Sequence, residues 1–200
     1  SKDILSAATT LGEYSIVNCG FISKSTRLPM ADENNVGSGG TNDWSFIHCT
    51  FVDVFQGDAE FRRVWMNMEN VNEGTVDLRN CMIVGPNTTD FVGFPTAFNE
   101  DVIASGADLL FDVPARNILD EDPIQDEFNV SNIIDGNAGL GTGNIAAGGA
   151  VGTFDPDPTP FSFDFHIDPN ELSDAVNAGT PIIQFDIDNE PRGNAPDLGA

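Results

Sequence analysis

The sequence predicts an all-β solenoid, in which short parallel strands stack in successive coils around one hydrophobic core. Three observations favour this class. A phrase of seven residues around a cysteine recurs three times at nearly constant spacing. The chain is rich in turn residues, with 20 glycines and 12 prolines. It shows almost no long helical pattern of apolar residues, and 40% hydrophobic content over 200 residues suffices for one domain with a core.

The recurring phrase is centred on Cys19, Cys49 and Cys81. Cys49 follows Cys19 by 30 residues, and Cys81 follows Cys49 by 32. An apolar residue stands three places before each cysteine and another two places after it: Ile16, Phe46 and Leu78, then Phe21, Phe51 and Ile83. One coil cannot bury its inner face alone. A period of this size therefore predicts stacked coils, with equivalent residues lying above one another.

The cysteines and the polar residues before them are predicted to form two structural ladders. Cysteine is a small and often buried residue that suits such a column. Asn18, His48 and Asn80 precede the three cysteines, and each is interpreted as a turn residue that bonds backbone groups of an adjacent coil. The alternative is a metal site made by the three thiolates. Strands about 4.8 Å apart would place them in a row, which is a poor tetrahedron.

The phrases VNCGFI, IHCTFV and RNCMIV resemble the coils of bacterial parallel β-helix proteins of the pectate-lyase-like class. Residues 172–179 (LSDAVNAG) and 186–200 are similar to the segments that close many such proteins. This chain departs from the usual residues of those segments at four positions: Asp174, Asn177, Asn189 and Leu198. The resemblance implies a right-handed parallel β-helix and an exported protein, of which this chain is the C-terminal portion. It does not imply a reaction.

One domain is expected, and its parts differ in how clearly they repeat. Clear coils are predicted over 15–86, degenerate coils and loops over 87–160, and closing strands over 161–200 of the single domain 1–200. A solenoid needs a cap at each end to shield its core, and no capping helix is evident at the start. This suggests that further coils or a partner precede Ser1, as part of a longer chain.

The charge balance excludes some classes of partner. The chain carries 32 Asp and Glu against 8 Lys and Arg, a net charge of -24. Such a surface repels phosphate backbones and anionic membranes, so no nucleic-acid partner is expected. No run of 18 apolar residues occurs, so no transmembrane segment is expected either. Salt-rich surroundings or bound divalent cations would each explain the acidity, and both fit an extracellular or cell-surface protein.

Calcium is the one cofactor that the carboxylates suggest, and Asp186, Asp188 and Glu190 are its candidate ligands. Asp186 and Asp188 are two residues apart on a segment expected to be extended, so both should project from one face. Glu190 follows them. Acidic groups at 120–122 and 155–157 are further candidates, and none of these clusters has the phrase of an EF-hand loop.

His166 lies in the segment 161–168, whose unbroken alternation predicts a strand with one polar face. Asp164 and Asp168 share that face with His166. The three side chains could bind a metal ion, although a solvated polar face is the commoner arrangement.

The resemblance brings polysaccharide lyases into consideration, in which a basic residue takes a proton next to a uronate. Lys24, Arg62 and Arg79 lie in neighbouring predicted coils and could meet on one exposed face. The alternative is that they pair with the abundant carboxylates at the surface. A glycoside hydrolase would need two acids that face a groove, and such a pair cannot be distinguished among so many carboxylates.

Two functions follow from these observations. The favoured one is a non-enzymatic extracellular module with a structural, adhesive or glycan-binding role. It would present a flat face to a polysaccharide or assemble with copies of itself through open coil ends. The alternative is a polysaccharide lyase or glycoside hydrolase that acts on an acidic polysaccharide. No other catalytic phrase occurs in the sequence, which favours the first.

Overall fold

The computed structural model describes most of the predicted coils and the C-terminal end of the chain. The described residues are 5–6, 12–23, 31–32, 41–54, 63–67, 73–85, 89–93, 101–112, 116–119, 127–140, 165–167 and 172–199. Every regular element in these ranges is a β-strand, which confirms the predicted all-β class. A helix long and apolar enough to cross a membrane does not occur in these ranges.

The strands of the described residues follow the predicted repeat. They are β1 (Leu5–Ser6), β2 (Gly12–Val17), β3 (Gly20–Ser23), β4 (Ala31–Asp32), β5 (Thr41–Ile47), β6 (Thr50–Asp53), β7 (Arg63–Asn67), β8 (Glu73–Val84), β9 (Thr89–Gly93), β10 (Asp101–Asp112), β11 (Arg116–Leu119) and β12 (Glu127–Asp135). The phrases of Cys19 and Cys49 span the interruptions between β2 and β3 and between β5 and β6, whereas the phrase of Cys81 lies within the continuous strand β8.

The strands form two sheets, and every strand pair is parallel. Sheet A has the order β1-β4-β7-β9-β11, and sheet B has the order β12-β10-β8-β5-β2. The short strands β3 and β6 extend sheet B, since β3 pairs with β6 and β6 with β8. Adjacent parallel strands cannot be joined by a tight hairpin. Here the chain reaches the next strand of each sheet by passing through the other sheet.

The register of sheet B places equivalent residues side by side. The residues three places before the cysteines are direct neighbours across three strands: Ile16, Phe46 and Leu78. Cys81 in turn lies beside Leu109, and Leu109 lies beside Ile133. The same register therefore continues through β10 and β12, where the sequence suggested only a degenerate repeat.

Apolar side chains at alternate positions of sheet B project from one face of the sheet and form the main core. The largest of them are fully buried: Phe46, Phe51, Phe111, Leu78 and Ile83. The ring of Tyr14 stacks on that of Trp44, with centroids 4.4 Å apart. Glu13 and Ser15, which flank Tyr14 in the chain, are exposed. Side chains along the strand thus alternate between a buried face and an exposed face of the sheet.

The part of sheet B that follows the cysteines is buried on both faces. Val52 alternates with Phe51, and Met82 with Ile83, so the first residue of each pair points away from the main core. These outward side chains join a second buried cluster: Val52, Val54, Met82, Val84, Leu110, Ala138, Leu140, Ala175 and Leu198. The continuous apolar run at 82–84 is typical of a strand covered on both sides.

Residues 172–199, here called the C-terminal strap, cover this second face. The sequence predicted closing strands over 161–200, but the strap consists of turns and irregular segments with one isolated antiparallel bridge. Its backbone groups form single bonds to one another and to side chains, not a strand ladder: the N–H of Leu198, for example, donates to the Ala175 carbonyl over 3.0 Å. The N–H of Asn177 donates to the Asp197 carboxylate over 2.7 Å, and the N–H of Thr180 donates to Asn80 over 3.0 Å.

Candidate functional site

Residues with a left-handed backbone conformation occupy equivalent positions of neighbouring strands in sheet B. These residues, here called the left-handed ladder, are Asn18, His48, Asn80, Asp108 and Asn132, with φ angles of 52°, 51°, 53°, 58° and 53°. Most L-residues avoid this region, whereas Asn and Asp tolerate it because their short side chains bond locally. The structure brings the three predicted ladder residues together and adds Asp108 and Asn132. Sequence reasoning missed these two because leucine or isoleucine follows them where the earlier coils have cysteine.

Side chains of the left-handed ladder hold the C-terminal strap. The N–H of Thr180 donates to Asn80 Oδ1 over 3.0 Å, and Asn80 Nδ2 donates to the Thr180 carbonyl over 2.6 Å. Asn18 Nδ2 donates to the carbonyl of Phe185 over 2.7 Å. The Thr180 hydroxyl donates to Asp108 over 2.5 Å. The strap is thus attached at three points along the ladder, by polar groups that would otherwise need another partner.

His48 is the fully buried member of the ladder that can titrate near neutral pH. Its Nε2 lies 2.9 Å from Asn80 Nδ2. The amide nitrogen can only donate, so Nε2 accepts and the imidazole is neutral, with its proton on Nδ1. Burial, with the charge of the Arg192 guanidinium adding to it, lowers the pKa of His48 to about 4, while two strap carbonyls act in the opposite direction.

The three thiols form a column beside the ladder, and none is in a disulfide. Cys81 Sγ donates to the carbonyl of Phe46 over 3.4 Å, and Cys49 Sγ donates to that of Ile16 over 3.5 Å. Burial raises the pKa of the Cys81 thiol well above its usual value and also raises that of Cys19. Both thiols are therefore held protonated, which makes them poor nucleophiles and poor metal ligands. The pKa of Cys49 is lowered instead, mainly by the hydrogen bond with the Cys81 thiol. Among the described residues, no group of three His, Cys, Asp or Glu side chains is placed to hold a metal ion.

The opposite face of β2, β5 and β8 is largely polar and partly exposed, and it is here called the outer polar face. Its outward positions form three rows across the strands: Glu13, Asp43 and Thr75; Ser15, Ser45 and Asp77; and Val17, Ile47 and Arg79. The Thr75 hydroxyl donates to Asp43 over 2.6 Å, and Arg79 Nε donates to Asp77 over 2.7 Å. Hydroxyls and carboxylates therefore repeat at the strand spacing, about 4.8 Å.

Of the three predicted lyase residues, Lys24 and Arg62 lie outside the described residues. Arg79 lies on the outer polar face and forms an ion pair with Asp77. The two side chains are 51% and 22% exposed, and a pair this accessible to water contributes little to stability. The structure therefore places Arg79 in a surface pair with a carboxylate, which is the alternative that the sequence left open.

The predicted calcium ligands lie on a tight turn. The prediction that this segment is extended is therefore wrong. Asp186 Oδ1 accepts the N–H of Asp188 over 3.0 Å and that of Glu190 over 2.8 Å. The turn forms because a short carboxylate can bond backbone groups that follow it in the chain. The Asp186 carboxylate thus organises the turn, and a metal ion would compete with these two bonds for it.

His166, the other candidate metal ligand, is hydrogen-bonded to the Asp188 carboxylate of the C-terminal strap, and both side chains are more than half exposed. The two aspartates expected on its face lie outside the described residues. So do the acidic groups at 120–122 and 155–157.

Comparison of the chain with family models, with curated proteins and with solved structures finds no match in any of the three. The resemblance to pectate-lyase-like repeat proteins therefore rests on the sequence phrases alone.

Proposed function

We propose that the chain is a right-handed parallel β-helix module of the pectate-lyase-like type, and that it serves an extracellular or cell-surface protein as a glycan-binding element. Two features of the fold support this architecture: the chain alternates between two parallel sheets, and the register repeats along sheet B. The outer polar face is the proposed binding surface.

The observation that carries the proposal is the row formed by Ser15, Ser45 and Asp77. Two hydroxyls and a carboxylate at regular intervals can donate to and accept from sugar hydroxyls. The interval, about 4.8 Å, is close to the length of one sugar residue in an extended polysaccharide. Such a chain could place one sugar on each coil. Its many weak contacts would then act together, as in other multivalent binding.

The charge of the face favours a neutral polysaccharide. Glu13, Asp43 and Asp77 bring three carboxylates to it, against the single guanidinium of Arg79. The whole chain carries a net charge of -24. A polymer of uronates would be repelled both at a distance and in contact. The alternative, a lyase that acts on acidic polysaccharide, would have to overcome this repulsion.

The test is binding of the purified protein to immobilised neutral and acidic polysaccharides, in EDTA and in calcium. Wild type should bind a neutral glycan. The variant Ser45→Arg, which puts a long side chain in the middle of the face, should bind at least about tenfold more weakly, equivalent to about 1.4 kcal/mol. Glu190→Gln, which changes an exposed residue of the strap turn, is the matched control and should bind like wild type.

Failure to bind any polysaccharide would remove the proposal, and so would equal binding by Ser45→Arg. The same samples can be monitored for the ultraviolet absorbance of unsaturated uronate products. Such products, formed from an acidic glycan and lost in Arg79→Gln, would establish the lyase in its place.

A further inference from the structure

We propose that His48 is a pH-sensitive latch, whose protonation releases the C-terminal strap from the left-handed ladder. The proposal is independent of glycan binding. It rests on the hydrogen bonds among three groups that pack together: the His48 imidazole, the Asn80 amide and the backbone of Thr180.

Thr180 fixes the orientation of the Asn80 amide. The backbone N–H of Thr180 needs an acceptor and meets Oδ1 at 3.0 Å, while its carbonyl needs a donor and meets Nδ2 at 2.6 Å. Only one of the two possible amide orientations satisfies both groups. The second hydrogen of Nδ2 is then the one available to His48 Nε2, at 2.9 Å.

A neutral imidazole can accept this hydrogen, and a protonated imidazole cannot. With a proton on Nε2, two donors would face each other inside the protein. Asn80 could relieve this only by turning its amide over, which would present NH₂ to the N–H of Thr180 and oxygen to its carbonyl. Protonation of His48 and the double hydrogen bond to Thr180 therefore exclude each other.

Two strap carbonyls, those of Gly199 and Asp197, favour the imidazolium, but burial and the charge of Arg192 outweigh them. His48 and Asn80 are both 0% exposed, so water cannot solvate the charge. The strap brings the Arg192 guanidinium close, where it contacts Asn18 Oδ1 at 3.4 Å and the Gly199 carbonyl at 3.3 Å. A second positive charge beside it would be repelled.

The carboxylates nearest this cluster are engaged elsewhere. Asp197 accepts the N–H of Asn177 over 2.7 Å, and its backbone carbonyl acts to raise the pKa of His48. Asp108, further along the ladder, accepts from Asn132 and from the Thr180 hydroxyl. Asp186 accepts two N–H groups of its own turn. None of these three forms an ion pair with His48 within the part of the chain that the structure describes.

Release of the strap has a structural consequence, because the strap covers the second buried face of sheet B. Val52, Met82 and Leu110 pack there with Ala175 and Leu198 of the strap. Acidification would uncover this apolar surface while leaving the main core closed. Protonation of one buried imidazole would thus expose the second, apolar face of sheet B.

The sign of the pH effect follows from the two pKa values. His48 has a pKa of about 4 with the strap bound, against 6.5 for an ordinary histidine. The latch is therefore fully closed above pH 6.5, weakens as the pH falls from 6.5 to about 4, and weakens no further below that. Over this range the equilibrium constant for strap release should rise by a few hundredfold, up to tenfold for each pH unit.

The test is hydrogen exchange measured by mass spectrometry from pH 7 to about pH 4, corrected for the intrinsic pH dependence of exchange. In wild type, peptides from 172–199 should lose protection as the pH falls, and peptides from β5 and β8 should keep it. His48→Asn places a non-titrating residue in the ladder, as at Asn18 and Asn80, and should remove this pH dependence. His166→Asn changes the only other histidine and should keep it.

Two results would overturn the latch. One is a strap equally protected across this pH range in wild type. The other is a pH response in His48→Asn equal to that of wild type, which would assign the response to carboxylates. If His48→Asn does not fold, the imidazole resonances of wild type decide the question. A His48 that titrates while the strap amides stay protected would also refute the proposal.

Discussion

The ring of Phe165 lies directly over the backbone of Gly20, the first residue of β3. A Cβ atom at this glycine would overlap with the ring. The neighbouring strands have Thr50 and Met82 in the same register. Gly20 is therefore the one member of this row small enough to admit the Phe165 ring to the second buried cluster.

We expect Gly20→Ala to destabilise the protein by about 1–3 kcal/mol, because the ring cannot withdraw without leaving a cavity. Urea unfolding measures this. Gly193→Ala is the control, since a Cβ there would meet nothing within 4 Å, and it should change stability by less than about 0.5 kcal/mol. Equal stability of the two variants would contradict the position of Phe165.

Asn80 should be less tolerant of alanine than of glycine. Both variants remove the two part-buried hydrogen bonds to the backbone of Thr180, at a cost of about 0.5–1.5 kcal/mol for each bond. Alanine adds about 1–2 kcal/mol because its Cβ disfavours the φ of 53° at this position. Thermal or urea unfolding should therefore rank wild type above Asn80→Gly and Asn80→Gly above Asn80→Ala.

The control for this series is Asn189→Gly. Asn189 has a φ of 65° but lies exposed in the strap turn, so its replacement should be nearly neutral. If Asn80→Gly were also neutral, the amide of Asn80 would not hold the strap.

The Cys81 thiol should resist alkylation in the folded protein. Burial raises the pKa of Cys81 well above its usual value and raises that of Cys19, and only the thiolate reacts. Treatment with iodoacetamide at pH 8, followed by mass spectrometry, should leave Cys81 unmodified until urea is added. Rapid modification of Cys81 in native protein would show that the column is open to solvent.

Salt should stabilise the protein. The net charge of -24 produces self-repulsion in the compact state, and salt screens it over a Debye length that falls from about 30 Å at 0.01 M to about 3 Å at 1 M. We expect Tm to rise steadily with NaCl over this range. A matched series in calcium chloride at equal ionic strength distinguishes screening from specific binding, since only binding raises Tm further at millimolar concentration.

The cysteine phrase predicted which residues are neighbours within sheet B because each position of the phrase has a local structural requirement that only a few residue types meet. A polar residue that tolerates the left-handed bend precedes a small residue that fits a tight column, and the structure has this arrangement at Asn18, His48 and Asn80. At Asp108 and Asn132 only the first requirement persists. The cysteine phrase is therefore no longer recognisable in the sequence of β10 and β12, although these strands keep the register of sheet B.

The C-terminal strap could not be predicted in this way, because its contacts depend on partners far away in the chain. Thr180 bonds Asn80 from 100 residues away, and Phe185 bonds Asn18 from 167 residues away. The turn at 186–190 was missed for a different reason. Alternate acidic residues suit a strand face, but Asp186 bonds the N–H groups of its own turn.

The fold depends on β2, β5 and β8 being successive parallel neighbours in one register, and engineered disulfides can test this register. Ser15 lies beside Ser45, so the pair Ser15→Cys with Ser45→Cys should oxidise readily, since disulfides need Cα atoms about 4.4–6.8 Å apart. Ser15→Cys with Asp77→Cys spans two strand spacings, about 9.6 Å, and should not cross-link. Cross-linking of the second pair in preference to the first would contradict the stacking and the functions proposed from it.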